Sequence, residues 1–237
     1  MKLIKHLANL GYGSRKEVQK LLRMGRFTDA ADNTIDEDSA IAHADIRYRG
    51  KPLDPDFGVV LMLNKPTGYV CSLKDRGQLV YELLPERFAL RKPVLSTIGR
   101  LDSDTSGLLL FTDDGDFLHR IISPKNHVSK IYEVTCARPI DRKYKDIFAS
   151  GTLVLESEKD ALKPAFLEIT GQTTARLTLY EGRYHQVRRM FAAVGNHVET
   201  LHRSQMAELT LGGLEAGQWR VLTPAERDGL LVKPDAS

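Results

Sequence analysis

Strand-like segments that follow one another with no helix between them constrain this chain most. Apolar or alternating stretches at 59–64, 68–73, 107–112, 130–136, 151–155, 165–170, 174–180, 197–202, 207–211 and 219–222 read as strands. Helical spacing and caps mark 79–84, 114–122, 141–149, 185–194 and 224–231 as helices, the last opened by Thr223-Pro224. A chain in which strands dominate and lead directly into one another is expected to be α+β. Its sheet should be mixed, largely antiparallel and flanked by helices, not doubly wound.

The first 27 residues read differently. Leu3, Ile4, Leu7 and Leu10 recur at helical spacing, and Gly11 is a stop. Ser14 and Glu17 have the spacing of a capping box, and Val18, Leu21 and Leu22 form the apolar face of a second helix that Gly25 ends. Lys16, Lys20 and Arg23 share its exposed face, with Arg15 beside them. Seven basic residues stand here against Glu17 alone, so the net charge of +3 for the whole chain hides a basic end on a mildly acidic body. That pattern suits a polyanion-binding appendage. The stretch 29–45 carries only acids among its charged groups and would repel RNA, and GKPLDPDFG (50–58) reads as a linker. The expected division is a small α-rich module at 1–57 and a larger domain at 58–237.

No apolar run reaches the roughly 18–20 residues of a membrane span, and MKLIKHLANLGYG lacks the apolar core of a signal peptide. Cys71 and Cys136 are the two cysteines and lack metal-ligand spacing. The expectation is a cytoplasmic protein that touches no membrane.

The segment GRLDSDTSGLLLFTDDG (99–115) sets Arg100 and Asp102 at the mouth of an apolar strand. Asp102, Asp104, Ser106, Gly107 and Asp113 fit part of a calcium-loop template, but Leu110 stands where a ligand is needed. A phosphoryl-accepting aspartate would follow a strand, whereas here the strand follows the acids. A lone carboxylate held ionised by a nearby guanidinium is the third reading.

GRLD followed by T-x-G-L-L-L-x-T-D-D-G resembles the catalytic motif of the RNA pseudouridine synthases of the RsuA type. LNKPTGYVCS (63–72), SKIYEV (129–134) and EGRYHQVRRMFAAVGNHVETLHR (181–203) are similar to its other motifs, in the same order. LANLGYGSRKEVQKLLRMGR resembles an S4 RNA-binding module, although the chain departs from that pattern after Arg26. The resemblance implies an isomerase that turns one uridine into pseudouridine with no cofactor and no metal. Its implied substrate is small-subunit 16S rRNA, met by a monomer within a partly assembled subunit. The same reaction on 23S rRNA is one alternative, and an inactive rRNA-binding assembly protein is another.

The resemblance makes Asp102 the catalytic carboxylate and Tyr132 the face on which uracil stacks. Arg100, two residues before Asp102, would fill the space that the flipped base leaves or hold a displaced nucleotide. Val187, Met190, Phe191 and Val194 form the core face of the helix after Gly182. Arg188 lies at the edge of that face and is expected to pair with Asp102. His185 and Arg189 are expected to point outward, with Arg183 and Arg189 on RNA phosphates.

Overall fold

The computed structural model describes residues 2–72, 76–123, 126 and 128–231. Two helices open the chain, α1 (Leu3–Asn9) and α2 (Arg15–Arg23). The capping box forms, with Ser14 Oγ accepting from the Glu17 N–H and the Glu17 carboxylate accepting from the Ser14 N–H. Leu3, Leu7, Leu10, Val18 and Leu22 bury against Phe27, Ile35 and Ile46. Three two-residue strands, β1 (Phe27–Thr28), β2 (Arg47–Tyr48) and β3 (Lys51–Pro52), complete this unit as an antiparallel sheet. Strands this short leave no alternation to read in a sequence.

The rest of the chain is built on a nine-stranded sheet. In chain order the elements are β4 (Val60–Lys65), β5 (Tyr69–Val70), β6 (Gln78–Leu79), α3 (Glu86–Ala89), β7 (Ser96–Ile98) and β8 (Thr105–Thr112). Then come α4 (Gly115–Ile122), β9 (Lys130–Cys136), α5 (Lys143–Ala149), β10 (Phe166–Ile169), β11 (Thr174–Leu179) and α6 (Gln186–Ala193). Last are β12 (Val198–Met206), β13 (Leu209–Thr210), β14 (Trp219–Val221) and α7 (Pro224–Gly229). The spatial order is β10-β11-β9-β12-β8-β4-β14, with β13 on β12 and β7 on β8, while β5 and β6 pair apart from it. Within the large sheet β12–β8 is parallel and the other pairs are antiparallel. This is the mixed, largely antiparallel sheet expected. Among the described residues no helix is long and apolar enough to cross a membrane.

The apolar runs have a plain cause, since β4 and β8 lie inside the sheet with both faces covered. Leu61, Leu63, Leu109 and Phe111 enter the larger core, where α5 contributes Tyr144 and Phe148 and α6 contributes Met190 and Phe191. Val60, Met62, Leu108 and Leu110 enter the opposite core with Phe117 and Ile121 of α4.

Three of the expected elements take another form. The stretch 151–155 is not a strand. Leu155 is buried there, but the segment joins no ladder, so its alternation reports burial alone. The helix expected at 79–84 is a 3₁₀ turn at Val80–Leu83. Of the strand expected at 68–73, only Tyr69–Val70 pairs, and residue 73 lies outside the described residues.

The 50–58 linker is fastened rather than loose. Arg91, on the segment after α3, donates to Pro55 O at 2.9 Å and to Asp56 O at 3.0 Å. It also donates twice to Asp113 Oδ2, at 3.0 and 2.6 Å, and both side chains are fully buried. Asp113 Oδ1 accepts from the Gly58 N–H at 2.9 Å. Arg87 pairs with Asp54 at 2.6 Å, and Tyr12 Oη accepts from the Asp54 N–H. The helical unit is thereby held against the sheet domain.

Gly107 sits where β8 meets β12, at φ +109°. A Cβ there would lie 2.3 Å from Arg203 O and 2.7 Å from Arg203 N. Backbone cannot yield as a flexible side chain can. Gly107→Ala is expected to cost roughly 2–4 kcal/mol of stability, lowering Tm by roughly 5–15 °C. A shift within about 2 °C in a thermal melt would show that the two strands part without cost.

Candidate active site

The loop 99–104 leaves β7 and enters β8, and it is braced from below. Lys65 is completely buried at the end of β4. Its ammonium donates to Pro66 O, Asp102 O, Ser103 O and Thr105 O at 3.1, 3.0, 3.4 and 2.8 Å. Burial pushes its pKa down, while Cys71, Asp104 and Asp102 pull it back up. The Gly68 N–H donates to Ser103 O at 2.7 Å, and Cys71 Sγ lies 3.3 Å from Leu101 O. LNKPTGYVCS thus forms the turn that fixes the backbone around Asp102. The Asp102 side chain stays about one-third exposed.

Asp102 faces His185, not Arg188. His185 Nε2 lies 3.3 Å from Asp102 Oδ1. The reason is the backbone, because His185 is the N-cap of α6 at φ +49°, outside the helical spacing that would have turned it outward. Its ring stacks on Tyr184 at 3.8 Å between centroids. Arg188 reaches past Asp102, with its guanidinium 2.9 Å from Asp104 Oδ2 and donating to Val198 O at 2.7 Å. It therefore ties β12 to the loop two residues beyond Asp102.

The two arginines expected on phosphates are also turned inward. Arg183 donates to Asp160 O and Ala161 O at 2.8 and 2.6 Å, and Arg189 pairs with Glu158 at 2.9 Å. Glu158 lies 3.4 Å from Arg183 as well. The hydrogen bond from Arg189 leads the effects that hold the Glu158 carboxyl below its usual range. Both cations staple the 156–161 segment to the start of α6. By contrast Arg15, Lys16, Lys20 and Arg23 are exposed and make no ion pair with any described residue.

Asp102 opens onto a cavity of about 310 Å³, the size class of a single small molecule or nucleoside. Ile98, Leu101, Leu179, Val187, Leu201 and Met206 supply apolar wall. Arg100 is exposed at the rim, and Tyr132 lies in the wall with only 8% exposure. The cavity gathers Asp102, Arg100, Tyr132 and Arg183, together with Lys130, His185 and Arg203, whose place in the site only the structure shows. Lys130 stands two residues before Tyr132 and Arg203 two after Leu201, the strand spacing that puts side chains on one face. The calcium-loop template does not converge, because Asp113 is at the far end of β8 and is taken by Arg91.

The arrangement offers one accessible carboxylate, an aromatic wall and several cations around a nucleoside-sized space. A family model described as RNA pseudouridylate synthase matches residues 59–193. Ribosomal small subunit pseudouridine synthase A of Escherichia coli (strain K12) is 44% identical over 95% of this chain and 98% of its own. The protein of the same name from Vibrio cholerae serotype O1 is 39% identical over 95% and 97%. A crystal structure of a pseudouridylate synthase superposes with a TM-score of 0.69 at 38% identity, covering 97% of this chain and 99% of that one.

Proposed function

The chain belongs to the RNA pseudouridylate synthase family, and we propose that it isomerises one uridine of 16S rRNA to pseudouridine with Asp102 as the catalytic carboxylate. The observation that carries this reading is Asp102 itself, a carboxylate on a backbone braced by Lys65 and open to a nucleoside-sized cavity.

The reaction exchanges a C–N glycosidic bond for a C–C bond on the same nucleoside. It is neither a redox change nor a phosphoryl transfer, so its chemistry calls for no cofactor. The base must leave its stack to reach the cavity. Arg100, exposed at the rim, is placed to occupy the vacated space, and Tyr132 offers the flipped uracil an apolar face, worth about 1–3 kcal/mol by stacking. Arg188 acts through Asp104 on the loop rather than by touching Asp102. The need to extract a base favours a partly assembled small subunit over a finished particle. A monomer in the cytoplasm suffices, since every group named comes from one chain.

Residues 1–57 act as an S4-like RNA-binding domain ahead of a catalytic domain at 58–237. Lys16, Lys20 and Arg23, supported by Arg15, present exposed charge to the phosphate backbone. Changing Lys16, Lys20 and Arg23 together to Ala should weaken RNA binding and reduce the slope of log K against log salt by about 2–3. An unchanged slope with an unchanged melt would remove this face from the RNA interface.

The decisive experiment is a pseudouridine map after incubation with unmodified small- and large-subunit rRNA and with partly assembled particles. One new site in small-subunit RNA is expected. A site in large-subunit RNA would overturn the substrate. Tight binding with no new site would overturn the catalytic reading in favour of an assembly protein.

A further inference from the structure

We propose that Lys130 and Arg203 form a cationic floor that holds the detached uracil as an anion while it turns; the proposal rests on the pseudouridine-forming reading above. Both residues line the cavity that Asp102 opens onto. They come from neighbouring strands, β9 and β12, whose register sets Arg203 opposite Tyr132 and Met206 opposite Lys130. The floor therefore adjoins the aromatic wall.

Arg203 is 2% exposed. Its Nε donates to Leu108 O at 2.8 Å, but Nη2 is buried with no hydrogen-bond partner among the described residues. A buried, unsatisfied guanidinium nitrogen is costly, and in a ligand cavity it marks the place of an incoming acceptor. Among the described residues Lys130 Nζ has one hydrogen bond, to Val128 O at 2.9 Å, for its three donors. The buried acid in the cavity, Glu181, is already engaged. Its Oε1 accepts from the Lys163 N–H and from Gln186 Nε2, both at 3.0 Å, and Oε2 lies 3.5 Å from Arg183. Burial, and then the charges of Arg203 and Lys163, push the Lys130 ammonium down to about 8 against the pull of Glu181. Two cations lining one cavity, one of them buried, favour negative charge in the space they face.

The reaction supplies that charge at one stage. When the C1′–N1 bond breaks, its electron pair goes to the base, and uracil carries one negative charge spread over N1 and its two carbonyl oxygens. After the turn, C5 bonds to C1′, the C5 hydrogen leaves as a proton, and N1 gains a proton. The product is an isomer of the substrate and the floor is unchanged. Donors that serve delocalised charge, rather than one fixed atom, keep hold of the base through its rotation. They also act more strongly on the detached base than on the neutral nucleoside, which is the requirement for lowering a barrier.

The test is isothermal titration of the intact protein with uracil and with 5-nitrouracil, whose ring N–H is acidic enough to ionise near neutral pH. The wild-type protein should bind 5-nitrouracil at least about tenfold tighter than uracil. Lys130→Met and Arg203→Met should each lose most of that preference, and Lys130→Met decides the matter if Arg203→Met does not fold. Single-turnover conversion should slow by at least about tenfold in Lys130→Met, with RNA affinity within about threefold of wild type. Equal or no binding of the two bases by wild type overturns the floor, as does a preference that survives Lys130→Met. The titration reads the floor without turnover, so a failed rRNA map and a failed floor give separate results.

Discussion

Asp102→Asn will abolish pseudouridine formation, by roughly 10⁴-fold or more, while RNA binding stays within a few-fold of wild type. The substitution preserves size and removes charge and basicity, which any route through this carboxylate requires. The loop will not collapse, because its position depends on backbone groups. Lys65 holds the carbonyls of Asp102, Ser103 and Thr105, and Gly68 and Cys71 hold its other side. The amide oxygen remains available to His185 at the same place. The measurement is a single-turnover assay on the mapped rRNA site, with binding followed separately. A residual rate within about 100-fold of wild type would remove Asp102 from the chemistry.

Asp113→Ala carries the largest expected loss of stability, about 3–5 kcal/mol, or a fall in Tm of roughly 6–20 °C. Truncation leaves the Arg91 guanidinium buried without its counter-charge and takes the acceptor from the Gly58 N–H. The comparison that proves the cause is the double variant Arg91→Met with Asp113→Leu. Removing both charges removes the desolvation cost along with the attraction, so much of the lost stability should return. If the double variant is as weak as the sum of the singles, lost packing rather than stranded charge explains the loss.

What the sequence made legible follows from periodicity. β4, β8, β9 and β11 were readable because their side chains meet a core on at least one face over several residues. β1, β2, β3 and β7 were not, because two or three residues carry no period. Asp102, Arg100 and Tyr132 were legible as motif residues, and they do share one cavity. The partners of Asp102 were not legible from helical spacing, which assumes that His185 obeys the helix. One positive φ reversed the assignments of His185 and Arg188. Arg183 and Arg189 looked like free cations because Glu158, some 25 to 31 residues earlier, sits in a stretch with no regular structure to announce it. Arg203 was hidden inside its own strand, where an arginine reads as a surface residue until its burial is known.

The neighbours of β4 also dictate a timetable. One edge of this strand is covered by β8 and the other by β14, through Leu61↔Val221, Met62↔Arg220 and Leu63↔Trp219. During synthesis at about 5–20 residues per second, β14 emerges roughly 8–30 s after β4 is complete. For that interval Val60, Leu61, Met62 and Leu63, all buried in the finished protein, present an open strand edge. Such an edge is a template for pairing with another nascent chain. The strand at 219–221 makes no part of the cavity, yet it ends the period in which the growing enzyme is most exposed to aggregation.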